Sequence, residues 1–321
     1  MSVSLRSFAP LALVAWISAL GAAPALAAEQ FINVLTGGTS GVYYPLGVAL
    51  STNIGKALPN VKTSVQATKA SLENLNLLQT GRGEIAFTLG DSLSDAWKGK
   101  EEAGFKTPLN KLRGIAAIYP NYIQIVARAD SGIRTLADLK GKRISVGAPR
   151  SGTELNARTI FEAAGITYKD FSKVEYLPFG ESVELMKNRQ LDVTLQSAGL
   201  GVASLRDLAT SVDIVVVPIP ADVVKKTNDP AYIPATIPAN TYKGQTADVV
   251  SATVQNYLVT HEGVSNDTVY AMTKALWTGL DNLVAAHSAA KSIDQKRALE
   301  GMPLPLHPGA EKYYREVGVL K

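Results

Sequence analysis

Short segments dense in β-branched and apolar residues alternate along this chain with longer segments whose apolar residues recur every three or four positions. The first kind is the pattern of strands buried on both faces, the second that of amphipathic helices lying on a sheet. Residues 31–35, 63–67, 85–89, 144–147, 193–196 and 214–217 read as strands of mainly parallel sheets. A helix over 42–57 places Val42, Leu46, Ala49, Leu50 and Ile54 on one face, and one over 153–164 buries Leu155, Ile160 and Phe161. A further helical stretch covers 269–286. The alternation implies an α/β fold flanked by helices. At 321 residues the chain is long for one ordinary domain and comfortable for two packed units.

In open α/β sheets ligands bind beyond the carboxyl ends of the strands, where the chain turns into the next helix. Five such turns share one chemistry: TGGTSG at 36–41, ATKAS at 67–71, LGDS at 89–92, APRSGTE at 148–154 and QSAGLG at 196–201. Small and hydroxyl-bearing residues let backbone amides approach a ligand and add donors of their own. Free amides at helix starts, with the helix dipole behind them, favour a carboxylate or another anion. Each turn also has a purely structural reading. Ser151 and Glu154 have the spacing of a capping box, which satisfies helix amides internally and leaves Thr153 freer than Ser151 to face a ligand. Tyr43 and Tyr44 fit packing as well as ligand contact.

Composition and the remaining residues exclude several functions. The net charge of +4 is spread over well-mixed Lys, Arg, Asp and Glu, and with only 7% aromatic residues a nucleic-acid partner is not expected. The chain has no cysteine, so neither disulfides nor thiolate chemistry are available to it. His261, His287 and His307 lie outside the five turns, and no pair has metal-ligand spacing, so no catalytic residue, metal or cofactor is expected. TGGTSG lacks the Lys of a phosphate loop and the glycine spacing of a dinucleotide fingerprint. At the start, Arg6 precedes an apolar run over 11–23 and then Ala25, Leu26 and Ala27, the pattern of a secretory signal cleaved after Ala27 or Ala28. The alternative, a retained anchor, needs a span of about 20 apolar residues.

Several of these segments together resemble the substrate-binding proteins of TRAP transporters, in the TAXI subgroup. They are TGGTSGVYYPLG at 36–47, QATKASLENLNLL at 66–78, AIYPNYIQIVAR at 117–128, LADLKGKRISVGAPRSGTELNA at 136–157 and TIPANTY at 236–242. The resemblance implies a two-lobed periplasmic-binding-protein fold of type II, a hinge of extended strands, and an integral membrane permease as partner. Lobe 1 would comprise 29–122 and 254–321, and lobe 2 would comprise 123–253, after a signal peptide over 1–28. The chain would cross outward near 122–128 and return near 253–260, and act as a monomer in the periplasm.

Site residues follow from the same resemblance. Thr36, Gly38, Ser40 and Tyr43 would form the lobe 1 rim, with Thr68, Asn74 and Asp91 near it. Ser151, Gly152, Thr153, Ser197 and Gly199 would meet the ligand from lobe 2, with Tyr119 and Asn121 at the crossing. Three positions depart from the family pattern: Lys69 and Arg150 stand where glycine is common, and Asn121 where glutamate is frequent. Losing a carboxylate and gaining two cations points to a dicarboxylate or 2-oxo acid, such as 2-oxoglutarate, over glutamate. Both cations could equally point into water. A sensor protein serving a signalling receptor and an exported hydrolase are the competing functional classes.

Overall fold

A computed structural model describes Met1 and residues 30–321, so the expected signal segment, Met1 apart, lies outside the described residues. The chain opens with β1 (Gln30–Leu35), α1 (Tyr43–Ala57), β2 (Val61–Gln66), α2 (Ser71–Gln79), β3 (Ile85–Leu89) and α3 (Gly90–Lys98). The long strand β4 (Leu112–Arg128) then leads into β5 (Arg143–Ser145), α4 (Gly152–Ala163), β6 (Lys173–Glu175), α5 (Phe179–Lys187) and β7 (Val193–Ala198). After α6 (Ala203–Ser211), β8 (Ile214–Val217), α7 (Ala221–Lys226) and β9 (Tyr232–Ile237), the second long strand β10 (Val249–His261) returns. Helices α8 (Asn266–Thr278), α9 (Leu280–Ala286) and α10 (Pro308–Glu316) complete the chain.

The strands follow the order β2-β1-β3-β10-β4-β7-β5-β6, with β8 also on β4 and β9 also on β10. The β1, β2 and β3 pairings are parallel, as are those of β5 with β6 and β7. β4 and β10 run antiparallel to each of their partners. The sheets are therefore mixed rather than mainly parallel, because two strands that serve both halves of the molecule run against the βαβ units on either side. β4 pairs with β10 over its first part and with β7 and β8 over its last, and Tyr122 faces Thr253 in the register between them.

Alternate residues of the first half's strands feed opposite faces. Ile32, Val34, Ile85 and Phe87 pack under α1 with Leu46, Leu50 and Ile54, while Leu35 and Ala86 pack with Leu75, Leu78 and Leu93 of α2 and α3. The second half has its own cluster, in which Ile144, Val193, Leu195 and Val217 meet Ile160 and Phe161 of α4. The helical stretch expected over 269–286 is two helices broken at Gly279. The break has a packing cause: a Cβ there would stand 2.1 Å from Asn53 Nδ2, which donates to the Gly279 carbonyl at 2.9 Å. Among the described residues no helix is long and apolar enough to cross a membrane.

Candidate functional site

Where β1, β2, β3, β5 and β7 end, their following turns surround one cavity of ≈ 690 Å³, part of it open to solvent. The first half contributes Gly38, Tyr43, Thr68, Lys69, Ser71 and Leu89. The second contributes Ala148, Ser151, Gly152, Thr153, Phe179 and Ser197, and β4 supplies Tyr119 and Asn121 from the floor. Helices α1, α2, α4 and α5 all begin at this cavity. No side chain caps the start of α1, α2 or α5. At α4 the Ser151 hydroxyl accepts the Glu154 amide at 3.1 Å, while the amides of Gly152 and Thr153 donate to no group of the described chain. The capping box is only half made, since the Glu154 carboxylate turns instead to Arg158 and Tyr168. Four helix starts give the cavity a positive field from backbone alone.

The floor is a buried hydrogen-bond chain. Tyr43 donates its hydroxyl to Asn256 Oδ1, Asn256 Nδ2 donates to Asn121 Oδ1 at 2.8 Å and to the Tyr119 carbonyl at 2.7 Å, and Asn121 Nδ2 donates to the Ser197 carbonyl at 2.9 Å. The chain ties α1 to β10, β4 and β7. Tyr43 also stacks on Phe87, ring centroids 5.2 Å apart. Burial pushes the Tyr43 and Tyr119 phenols well above their ordinary range, so both stay neutral donors. Two hydroxyls at this floor, Tyr119 Oη and Ser197 Oγ, are buried without any hydrogen-bond partner, although Tyr119 is 0% and Ser197 5% exposed. A buried donor left unpaired costs about 1–3 kcal/mol, and both of these residues line the cavity.

Several residues expected at the ligand stand elsewhere. Thr36 is fully buried behind the rim, its hydroxyl on the Gln66 carbonyl at 2.7 Å. Asn74 holds the Thr36 and Phe87 carbonyls at 2.7 and 2.8 Å, which fixes the turn and leaves the amide no reach into the cavity. Ser40 lies beside Gly180 at the outer rim. Gly199 is packed behind the floor, where an added Cβ would meet Ala289 at 2.7 Å and the Tyr119 ring at 3.3 Å. Asp91 faces away from the cavity. Its Oδ2 accepts from Asn156 of α4 at 2.6 Å and from the Tyr232 hydroxyl at 2.8 Å, joining the two halves. Burial, with repulsion from Asp95 and Asp229, pushes its carboxyl up to about 6.

Arg150 is the largest correction. Its backbone is left-handed, with φ of 62°, and the exposed side chain lines a separate depression with Leu72, Asn76 and Phe105. That conformation suits glycine, which accounts for the glycine of the resembling pattern without any role in the site. Lys69 does line the cavity, but as an exposed residue at its mouth. The motif-based reading missed Asn256, Phe179, Ser71 and Leu89. Asn256 had a signal, a polar residue inside the apolar run of β10; Phe179 had none, since an aromatic at a helix start reads equally well as packing. None of the three histidines lines the cavity: His287 and His307 cap backbone amides of Ala289 and Gly309, and His261 accepts from Gly263.

The same architecture occurs in solved structures of transport proteins. A periplasmic transporter aligns with 91% of this chain and 93% of its own at 12% identity and a TM-score of 0.54. A protein of Listeria monocytogenes assigned to L-cystine ABC transport aligns with 83% of this chain and 98% of its own at 18% identity and a TM-score of 0.51. The fold is thus the two-lobed α/β fold of type II periplasmic binding proteins. The sequence itself matches the profile of the NMT1-like family over residues 34–318, nearly the whole described chain, and the protein belongs to that family.

Proposed function

We propose that this protein is the extracytoplasmic solute-binding subunit of a TRAP-type transporter of the TAXI subgroup, exported on a cleaved signal, and that it captures a small organic carboxylate between its lobes. The observation that carries this reading is the convergence of four helix starts on one cavity that, among the described residues, no carboxylate side chain lines. An anion is stabilised there, and an ammonium group has no acidic partner. The lobes are taken as 29–122 with 254–321, and 123–253, closing about the paired residues Tyr122 and Thr253. A 2-oxo acid remains within this class. The preference for a second carboxylate rested chiefly on Arg150 and falls with its placement outside the cavity.

A hydrolase would need a nucleophile with a base in reach, and the cavity lining contains no histidine and no carboxylate to serve Ser151, Thr153 or Ser197. The test is a thermal-shift panel of small carboxylates on the mature protein. A ligand that binds only the native state must raise its Tm in a saturable way, by about 2.7 kcal/mol of stability at a hundredfold excess over Kd. At least one carboxylate should do so; if none does while amines or sugars do, the reading is wrong. Co-purification with a multi-span membrane protein encoded beside it would assign the permease, and docking to a signalling receptor would replace transport with sensing.

A further inference from the structure

Taking the cavity as the carboxylate site proposed above, we infer that it selects a monocarboxylate with an apolar body and one neutral oxygen, a 2-oxo acid bearing a hydrocarbon side chain, against both dicarboxylates and amino acids. The first ground is charge. Lys69 is the one charged residue among the lining side chains described, and it sits at the mouth. One carboxylate can be shared between the helix-start amides and this rim cation, whereas a second would be buried against Leu89, Phe179 and the tyrosine rings with no cation to pair.

The second ground is the wall itself. Val42, Tyr43, Leu89, Tyr119, Pro178 and Phe179 make the surface predominantly apolar, with rings from both halves. Phe179 reaches from α5 towards the opposite rim, within 3.8 Å of where a Cβ on Gly41 would stand, so an apolar body is enclosed from both sides when the halves meet. The third ground is the pair of hydroxyls at the floor. Tyr119 Oη and Ser197 Oγ are both free to donate, while the neighbouring Thr68 hydroxyl is already committed to the Thr36 carbonyl and to Asn74. Two free donors fit a keto oxygen. An ammonium could also donate to these hydroxyls, but no carboxylate lines the described cavity to balance its charge, and Asp91 is turned to Asn156 and Tyr232.

Calorimetry on the mature protein with four probes separates these grounds. 4-Methyl-2-oxopentanoate carries the carboxylate, the keto oxygen and the apolar body; leucine replaces the keto group by an ammonium; 4-methylpentanoate lacks it; 2-oxoglutarate adds a second carboxylate. The oxo acid should bind at least about tenfold tighter than leucine and than 2-oxoglutarate, and about three- to tenfold tighter than 4-methylpentanoate. Ser197→Ala should erase most of the preference over 4-methylpentanoate by weakening the oxo acid more than the keto-less acid, a difference that loss of folding cannot imitate. If 2-oxoglutarate or leucine binds tenfold tighter than the oxo acid, this inference is overturned and the carboxylate reading stands. If no carboxylate binds, both fall.

Discussion

Ser197 and Tyr119 present hydroxyls that the folded chain buries and does not use. Replacing them should therefore cost the free protein little stability, because no partner is left stranded, while removing donors from the ligand. Ser197→Ala and Tyr119→Phe should each weaken binding of the best carboxylate by about three- to tenfold at most, with Tm of the free protein kept or raised. Thermal shifts with and without ligand check both halves of that statement, and a large loss of free-protein Tm would mean that the hydroxyls have structural partners. The two cations make a contrasting pair. Arg150→Ala should leave Kd within about twofold, since its guanidinium is in solvent on another face. Lys69→Ala should weaken binding by a few-fold and flatten its salt dependence, as expected of a rim charge about one Debye length or less from the ligand. The sequence made these two residues look alike because each occupies a glycine position in a helix-start turn. What separates them is backbone conformation: the left-handed φ at Arg150 carries its side chain out of the cavity, and no pattern of residue types encodes that direction.

Helix α4 shows how an element, rather than a residue, makes the site. Its first turn is pressed against the other half so closely that a Cβ on Gly152 would stand 2.6 Å from both Leu89 Cδ1 and Ser71 Oγ. On the lobe division proposed above, this contact spans the cleft. If the proposed lobes close on ligand, Gly152→Ala should weaken ligand binding by about tenfold or more by opposing closure, with a much smaller change in Tm of the free protein. Unchanged affinity in calorimetry would show that α4 does not approach α2 on binding. The start of α4 was legible from Ser151 and Glu154, and the strands β1, β3, β7 and β8 from their apolar runs, because local periodicity sets these elements. The full extents of β4 and β10 were not. Asn121 and Asn256 interrupt the apolar pattern with amides whose partners, each other, Tyr43, the Tyr119 carbonyl and the Ser197 carbonyl, are mostly remote in sequence, an arrangement with no local trace.

At the scale of the whole molecule, Asp91 couples its two halves and titrates. Its carboxyl is 3% exposed, bonded across to Asn156 and Tyr232, and pushed up to about 6 by burial, with Asp95 and Asp229 adding repulsion. Lys100, Glu102, Arg158, Glu162 and Lys226 line the outer notch beside it. A carboxyl whose pKa is raised on folding favours the native state when protonated. This contribution is fully present below the ordinary value of 3.8 and is lost as pH rises through about 6. Its size is on the order of 3 kcal/mol. Asp91→Asn should thus raise Tm at pH 7.5 by several degrees and flatten the Tm profile between pH 4 and 7; an unchanged profile would show that Asp91 is not the group responsible. The α/β class was readable from alternation alone, whereas the meeting of the helix starts on one cavity depends on how the halves pack. The site's central claim, that backbone amides at those starts hold the anion, is tested most directly by amide NMR. In a titration of the mature protein with the tightest carboxylate of the panel, the Gly152 and Thr153 amide protons should show the largest downfield shifts, with Tyr43 and Ser71 next. Saturable binding that leaves Gly152 and Thr153 unmoved while amides elsewhere shift would contradict it.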